Sequence, residues 1–253
     1  AIRRQRQMCI RDSGYIKRTP LTEFRTQNRG GVGAKGSDTR DEDFIEYIYP
    51  ASMHNYMLFF TQKGKCFWLK VYEIPEGAKN SKGRAIQNLL NIDADDKVNA
   101  FIRVKKLQDP EYNLTHNLVF CTKKGVIKKT RLEAYSRPRT NGVNAITIRE
   151  DDQVIQVRLT TGNSEIIMAN REGRAIRFHE TTVREMGRTA TGVRGMTLDE
   201  SVNDEVVGII CVNDPETETI MVVSEQGYGK RSEIEDYRIT NRGGKGVLSL
   251  IHI

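Results

Sequence analysis

The sequence predicts an all-β protein assembled from repeated four-stranded blades, and three observations predict it. Short segments alternating apolar and polar residues recur along the whole chain, as half-buried strands require. Tight turns made of two polar residues and a glycine punctuate them. A glycine also opens a basic segment five times, at Gly14, Gly64, Gly125, Gly173 and Gly227. A second glycine follows nineteen residues later in four of these, at Gly33, Gly83, Gly192 and Gly246; from Gly125 to Gly142 the interval is two shorter. Successive opening glycines lie 50, 61, 48 and 54 residues apart. Such a period belongs to blades or solenoid units stacked around a shared core.

Each element can be placed from its local pattern. Acidic turns at Asp41 to Asp43, Asp93 to Asp96, Glu150 to Asp152 and Asp199-Glu200 precede the segments FIEYIY (44–49), VNAFIRV (98–104), VIQVRL (154–159) and VVGIICV (206–212). More continuously apolar strands follow as YMLFFT (56–61), NLVFCT (117–122), EIIMAN (165–170) and TIMVVS (219–224). Each runs into a hairpin turn ending in glycine, which supplies the positive φ a tight turn needs. The fullest unit begins with VNAITI (143–148) and ends with RAIRFHETTV (174–183). Its four consecutive strands are expected to form one blade, and four blades trace end to end. Coincidental spacing in a β-sandwich is the alternative.

The ends fit less well. QMCIRDS stands before Gly14, where a strand like YMLFFT is expected, and the pattern after Gly246 stops in VLSLIHI. RQRQMCIRDS and LSLIHI are similar to translated sequencing-adapter sequence. Residues 1–13 and 248–253 are therefore expected to be non-native tails around a domain of residues 14–247.

Composition narrows the function. Forty Lys and Arg against 33 Asp and Glu give +7 among 253 residues, which suits an anionic partner. Apolar runs are strand-sized, so no membrane span is expected. Four scattered cysteines and four scattered histidines make neither a disulfide framework nor a zinc site. No phosphate-binding loop and no nucleophile–base grouping with useful spacing is present.

The basic residues keep register. Lys17-Arg18, Lys128-Lys129 and Lys230-Arg231 occupy the third and fourth positions after an opening glycine, each followed by Thr or Ser. A second group surrounds the later glycine and includes Arg137, Arg139, Arg188, Arg194, Arg242 and Lys245. Equivalent positions on successive blades predict a positive band around one rim. Strand-edge lysines that block unwanted pairing would explain some of them. Glycine amides, hydroxyls and guanidinium groups together are phosphate donors. Few aromatics are available for stacking on single strands, and no recognition helix is readable. Recognition of the duplex backbone and its bendability fits best.

The segment GYIKRTPLTEFRTQNRGGVG (14–33) resembles the first blade of the DNA gyrase A C-terminal domain. Its end, residues 27–33, is similar to the gyrase box, Q-basic-R-G-G-basic-G, with Asn28 and Val32 replacing basic residues and Lys35 just beyond. KGKCFWLKVYEIP (63–75), SRPRTNGVNAI (136–146), MGRTATGVRGM (186–196), EQGYGKRSEIEDY (225–237) and TNRGGKG (240–246) resemble later blades. The resemblance implies a β-pinwheel, a propeller-like disc whose blades exchange strands, with about five blades here and the last missing. It implies that double-stranded DNA wraps right-handedly around the rim, with Gln27, Arg29, Gly30, Gly31, Gly33 and Lys35 holding the wrap closed. It further implies a bacterial, cytoplasmic, nucleoid-associated A2B2 enzyme that introduces negative supercoils. The strand-cleaving tyrosine, ATP and Mg2+ would belong to other parts of gyrase A and to gyrase B, leaving no cofactor for this segment. The corresponding domain of topoisomerase IV, which binds DNA with little wrapping, stays open, as does a protein-binding propeller.

Overall fold

The computed structural model describes residues 5–11, 14–24, 45–78, 80–223 and 228–248. In chain order the first strands are β1 (Gln5–Arg11), β2 (Tyr15–Pro20), β3 (Ile45–Ser52), β4 (Tyr56–Thr61), β5 (Lys65–Lys70) and β6 (Arg84–Ala85). They continue as β7 (Val98–Val104), β8 (Asn117–Thr122), β9 (Val126–Arg131), β10 (Val143–Asn144), β11 (Val154–Thr160) and β12 (Glu165–Asn170). The last are β13 (Arg174–His179), β14 (Val193–Arg194), β15 (Val206–Val212), β16 (Thr219–Val223), β17 (Gly229–Glu233) and β18 (Val247–Leu248). The single α-helix among the described residues, α1 (Pro110–Thr115), is capped by Asp109, whose carboxylate accepts from the amides of Glu111 and Tyr112.

Four sheets have four antiparallel strands each, ordered β3-β1-β2-β6, β7-β4-β5-β10, β11-β8-β9-β14 and β15-β12-β13-β18; β16-β17 form a fifth hairpin. Every four-stranded sheet follows one recipe. A hairpin forms its centre, the next long strand pairs with the hairpin's first strand, and a two-residue strand from beyond the following hairpin pairs with its second. The four consecutive segments expected to make one blade therefore divide among three sheets: β10, β11, and the pair β12 and β13. Blades exchange strands, and alternation along the chain carries no record of that. Only Val143–Asn144 of the expected strand 143–148 is extended into a ladder.

The continuously apolar strands are explained by burial on both faces. Met8 and Ile10 of β1 share a cluster with Met57 and Phe59 of β4. Leu58 and Phe60, on the other face of β4, pack with Leu118 and Phe120 of β8. Val119 and Cys121 then meet Ile166 and Met168, and Ile167 meets Ile220. The core is thus a row of interlayers between successive sheets, and each sheet depends on its neighbours for half its burial. At roughly 2 kcal/mol for each buried large aliphatic or aromatic side chain, these layers dominate stability.

Strand β1 lies within the stretch expected to be a tail. It occupies the position that YMLFFT holds in the second sheet, with Met8 and Ile10 at 0% and 1% exposure. Apolar residues at alternate positions suffice for that place in the sheet, although QMCIRDS looks unlike the other third strands. At the far boundary β18 pairs with β13.

Each hairpin's second strand runs into a 3-10 turn, at Leu21–Glu23, Val71–Glu73, Leu132–Tyr135, Glu180–Thr182 and Ile234–Asp236. The stretch after it lies along the previous sheet, as the parallel bridges Arg18–Glu76, Lys129–Glu185 and Arg177–Ile239 record. The exposed arginines considered next sit on this stretch.

Candidate nucleic-acid interface

After four of the five opening glycines, the fourth residue bonds to the next repeat's 3-10 turn. Arg18 donates through Nε to Ile74 O at 2.6 Å and pairs with Glu76. Trp68 Nε1 donates to Tyr135 O at 3.0 Å. Lys129 Nζ donates to Glu180 O at 3.2 Å, and Arg177 Nη1 to Ile234 O and Tyr237 O at 2.8 and 2.9 Å. The third residue does related work. Lys17 Nζ donates to Ala78 O and Ser81 O, and Lys128 Nζ to Ala145 O and Arg188 O.

These bonds overturn part of the expected rim. Lys17, Lys128 and Lys129 are 2%, 0% and 6% exposed, and the Arg18 side chain is 13% exposed. They satisfy backbone carbonyls that the strand exchange leaves without ladder partners, a demand invisible in the sequence. The hydroxyl that follows Lys17 and Arg18 is structural too: Thr19 is buried and its Oγ1 donates to Gly77 O at 3.0 Å. Lys230 and Arg231 hold the same register on β17 but are exposed.

Burial also reshapes Lys128 electrically. Desolvation, aided by the Arg188 charge, pushes its ammonium down to about 7. Two short carbonyl contacts and the Phe120 ring 5.6 Å away retain it in the interior.

The remaining arginines divide between two ends of β9. At its Arg131 end lies an open groove of about 570 Å³, lined by Arg131, Arg137, Arg139 and Arg188 together with Glu133 and Glu185. Arg137 and Arg139 are exposed, and Arg188 is half-buried. Arg131 pairs with Glu185 at 2.6 Å. Four guanidinium groups against two carboxylates leave a positive, open slot suited to phosphate oxygens. Arg131 was not among the residues expected here, because nothing in its local sequence announces that the chain returns 54 residues later with Glu185.

Arg194 and Lys245 are elsewhere. Arg194 lines a cleft at the Gly125 end of β9 with Arg149, Glu150, Asp152 and Glu200, and Lys245 lies with Asp199, Glu200 and Asp204. The acidic turns neutralise them locally, so the structure does not join them to the groove. Arg242 braces the backbone, donating from Nε to Thr182 O at 3.3 Å and from Nη1 to Arg194 O. Gln27, Arg29, Gly30, Gly31, Gly33 and Lys35 lie outside the described residues.

Comparison with known proteins agrees with this repeat. The family model described as DNA gyrase C-terminal domain, β-propeller, matches residues 12–52, 55–105, 116–161, 164–213 and 218–250, one segment per repeat. The DNA gyrase A protein of Staphylococcus aureus is 45% identical over 240 residues, covering 95% of this chain and 26% of that protein. The chain thus spans about a quarter of the length of the curated relatives it matches. The solved DNA gyrase A C-terminal domain superposes with a TM-score of 0.78 at 26% identity, over 96% of this chain and 76% of that one. A solved DNA topoisomerase IV C-terminal domain gives 0.75 at 27% identity, over 96% and 72%. The backbone alone does not separate those two.

Proposed function

The chain belongs to the DNA gyrase C-terminal domain family, and from that premise we propose that it binds duplex DNA along the arginine-bearing stretches and bends it. The observation that carries this reading is the groove of Arg137, Arg139 and Arg188, three arginines aimed at one slot without a matching set of carboxylates. Exposed Arg184 and Arg238 hold comparable places after the 3-10 turns of the next repeats. A tightly bent duplex costs several kcal/mol over a few helical turns, so phosphate contacts repeated from blade to blade must offset it. Affinity is therefore cumulative over repeats and steeply salt-dependent.

In the whole protein the bent segment would be handed to the breakage–reunion core of gyrase A. Gyrase B would supply ATP hydrolysis in an A2B2 enzyme, and right-handed wrapping would bias strand passage toward negative supercoils. The 45% identity to a gyrase A protein favours this over the topoisomerase IV alternative.

A topology assay tests it. Nicked circular plasmid is incubated with the chain, sealed by ligase, stripped of protein and run on a chiral gel. Positively supercoiled product is expected, and replacing Gln27, Arg29 and Lys35 with alanine is expected to abolish it while leaving much of the binding. Relaxed product with salt-sensitive binding would favour the topoisomerase IV reading. Absence of binding would end the DNA reading.

A further inference from the structure

Lys128 does not line the groove, yet it touches the backbone behind both of its walls. One wall is the stretch from the 3-10 turn at Leu132–Tyr135 through Arg137 and Arg139; the other runs from Glu185 to Arg188. The first wall leads into Ala145, whose carbonyl accepts from Lys128 Nζ at 2.6 Å and from Tyr135 Oη at 3.1 Å. The second ends at Arg188, whose carbonyl accepts from the same Nζ at 2.6 Å. One buried amino group therefore spans the two. Farther out, Thr147 Oγ1 donates to Thr189 O at 2.7 Å, a second stitch between the same segments.

We propose that Lys128 is a positioning residue for DNA binding: it sets where Arg188 stands relative to Arg137 and Arg139. The proposal rests on the groove being a duplex-phosphate site. Guanidinium–phosphate bonds are directional, and a slot whose walls drift by about an ångström loses alignment at several oxygens together. An apolar side chain at position 128 leaves Arg188 O without this donor and Ala145 O with Tyr135 Oη alone, and the walls lose the group that ties them together. A compact amino group with several donors can bridge two carbonyls from different segments; an apolar residue of similar length cannot.

The test is a double-mutant cycle on the full 253-residue chain, read by fluorescence anisotropy with a duplex of about 40 base pairs at several salt concentrations. Lys128→Met and Arg188→Ala are each expected to weaken binding about tenfold near 0.1 M salt, with a fall of about 0.9 in the salt slope. In the Arg188→Ala background, Lys128→Met is expected to add almost nothing, because what it positioned is gone. Losses that simply multiply, to about a hundredfold, or a further fall of about 0.9 in slope, would overturn the proposal, since Lys128 would then act on its own. Unchanged affinity in a folded Lys128→Met chain would overturn it equally. Should that variant fail to fold, Thr147→Val replaces it in the same cycle, with an expected loss of about threefold and the same non-additivity. A wild-type chain that does not bind the duplex removes the proposed function itself, an outcome distinct from an additive cycle.

Discussion

The indole Nε1 of Trp68 donates a 3.0 Å hydrogen bond to the carbonyl oxygen of Tyr135, joining the second sheet to the end of the third repeat's 3-10 turn. Arg18 and Arg177 do the same at equivalent places, while Lys129 reaches the first residue of its turn instead, so one position of the repeat is a latch whose residue type varies. Trp68→Phe keeps the ring in its 8%-exposed site but leaves that carbonyl without a donor. A loss of about 1 to 2 kcal/mol is expected. Urea unfolding followed by circular dichroism measures it, and an unchanged midpoint with unchanged m-value would refute the latch.

The interlayer between the second and third sheets closes on Phe60 and Phe120, rings 5.2 Å apart at 89° and both fully buried. Phe120→Ala leaves a cavity between two sheets that are held apart by other contacts and cannot collapse into it. The expected cost is about 3 to 5 kcal/mol. A cost below about 1 kcal/mol in thermal or urea unfolding would mean that the interlayer repacks freely.

Gly192 has φ +103°, and a Cβ there would stand 2.7 Å from Ile127 O. Gly192→Ala combines left-handed strain with a clash against backbone, and about 2 kcal/mol or more of destabilisation is expected. Gly187 has nothing within 4 Å of its would-be Cβ, so Gly187→Ala is expected to stay within about 0.5 kcal/mol. Equal melting temperatures for the two variants would contradict the close approach.

Stability depends on pH through Lys128. Lys128 titrates near 7 in the folded chain, against 10.5 for an unperturbed lysine. Between those values the unfolded chain binds the proton and the folded chain does not, so stability attributable to this group rises with pH from about 7 upward. Below about 7 both states are protonated and the contribution is flat. The difference between wild type and Lys128→Met should carry this rise, measured by unfolding from about pH 6 to 9. A difference independent of pH would be inconsistent with a neutral amine in the folded state.

Charge reversal of the groove separates it from the latches. Arg137→Glu with Arg139→Glu is expected to weaken duplex binding at least tenfold and to lower the salt slope by about 2, without loss of stability, because both residues are exposed. Lys129→Met is expected to cost stability, since Lys129 is buried against Glu180. Anisotropy titrations and melting curves on both variants decide. A reversed pattern would move the site from the groove to the strand register.

The repeat, the hairpins and the alternation of strands were legible in the residues because each is a local matter of turn chemistry and period. YMLFFT and NLVFCT match β4 and β8 end to end. The exchange of strands was not legible: Val143–Asn144 pairs with β5, more than seventy residues earlier, and two residues cannot encode a partner.

The candidate site divided along the same line. Arg137 and Arg139 sit on an exposed connecting stretch, so their charge in the sequence became charge on the surface. Lys17 and Lys128 show the same charge and the same spacing but point into carbonyls brought from distant segments. Periodicity by itself determined which residues are equivalent from blade to blade. Only the tertiary structure decided which equivalents face solvent, because burial depends on what the following repeat lays over a strand.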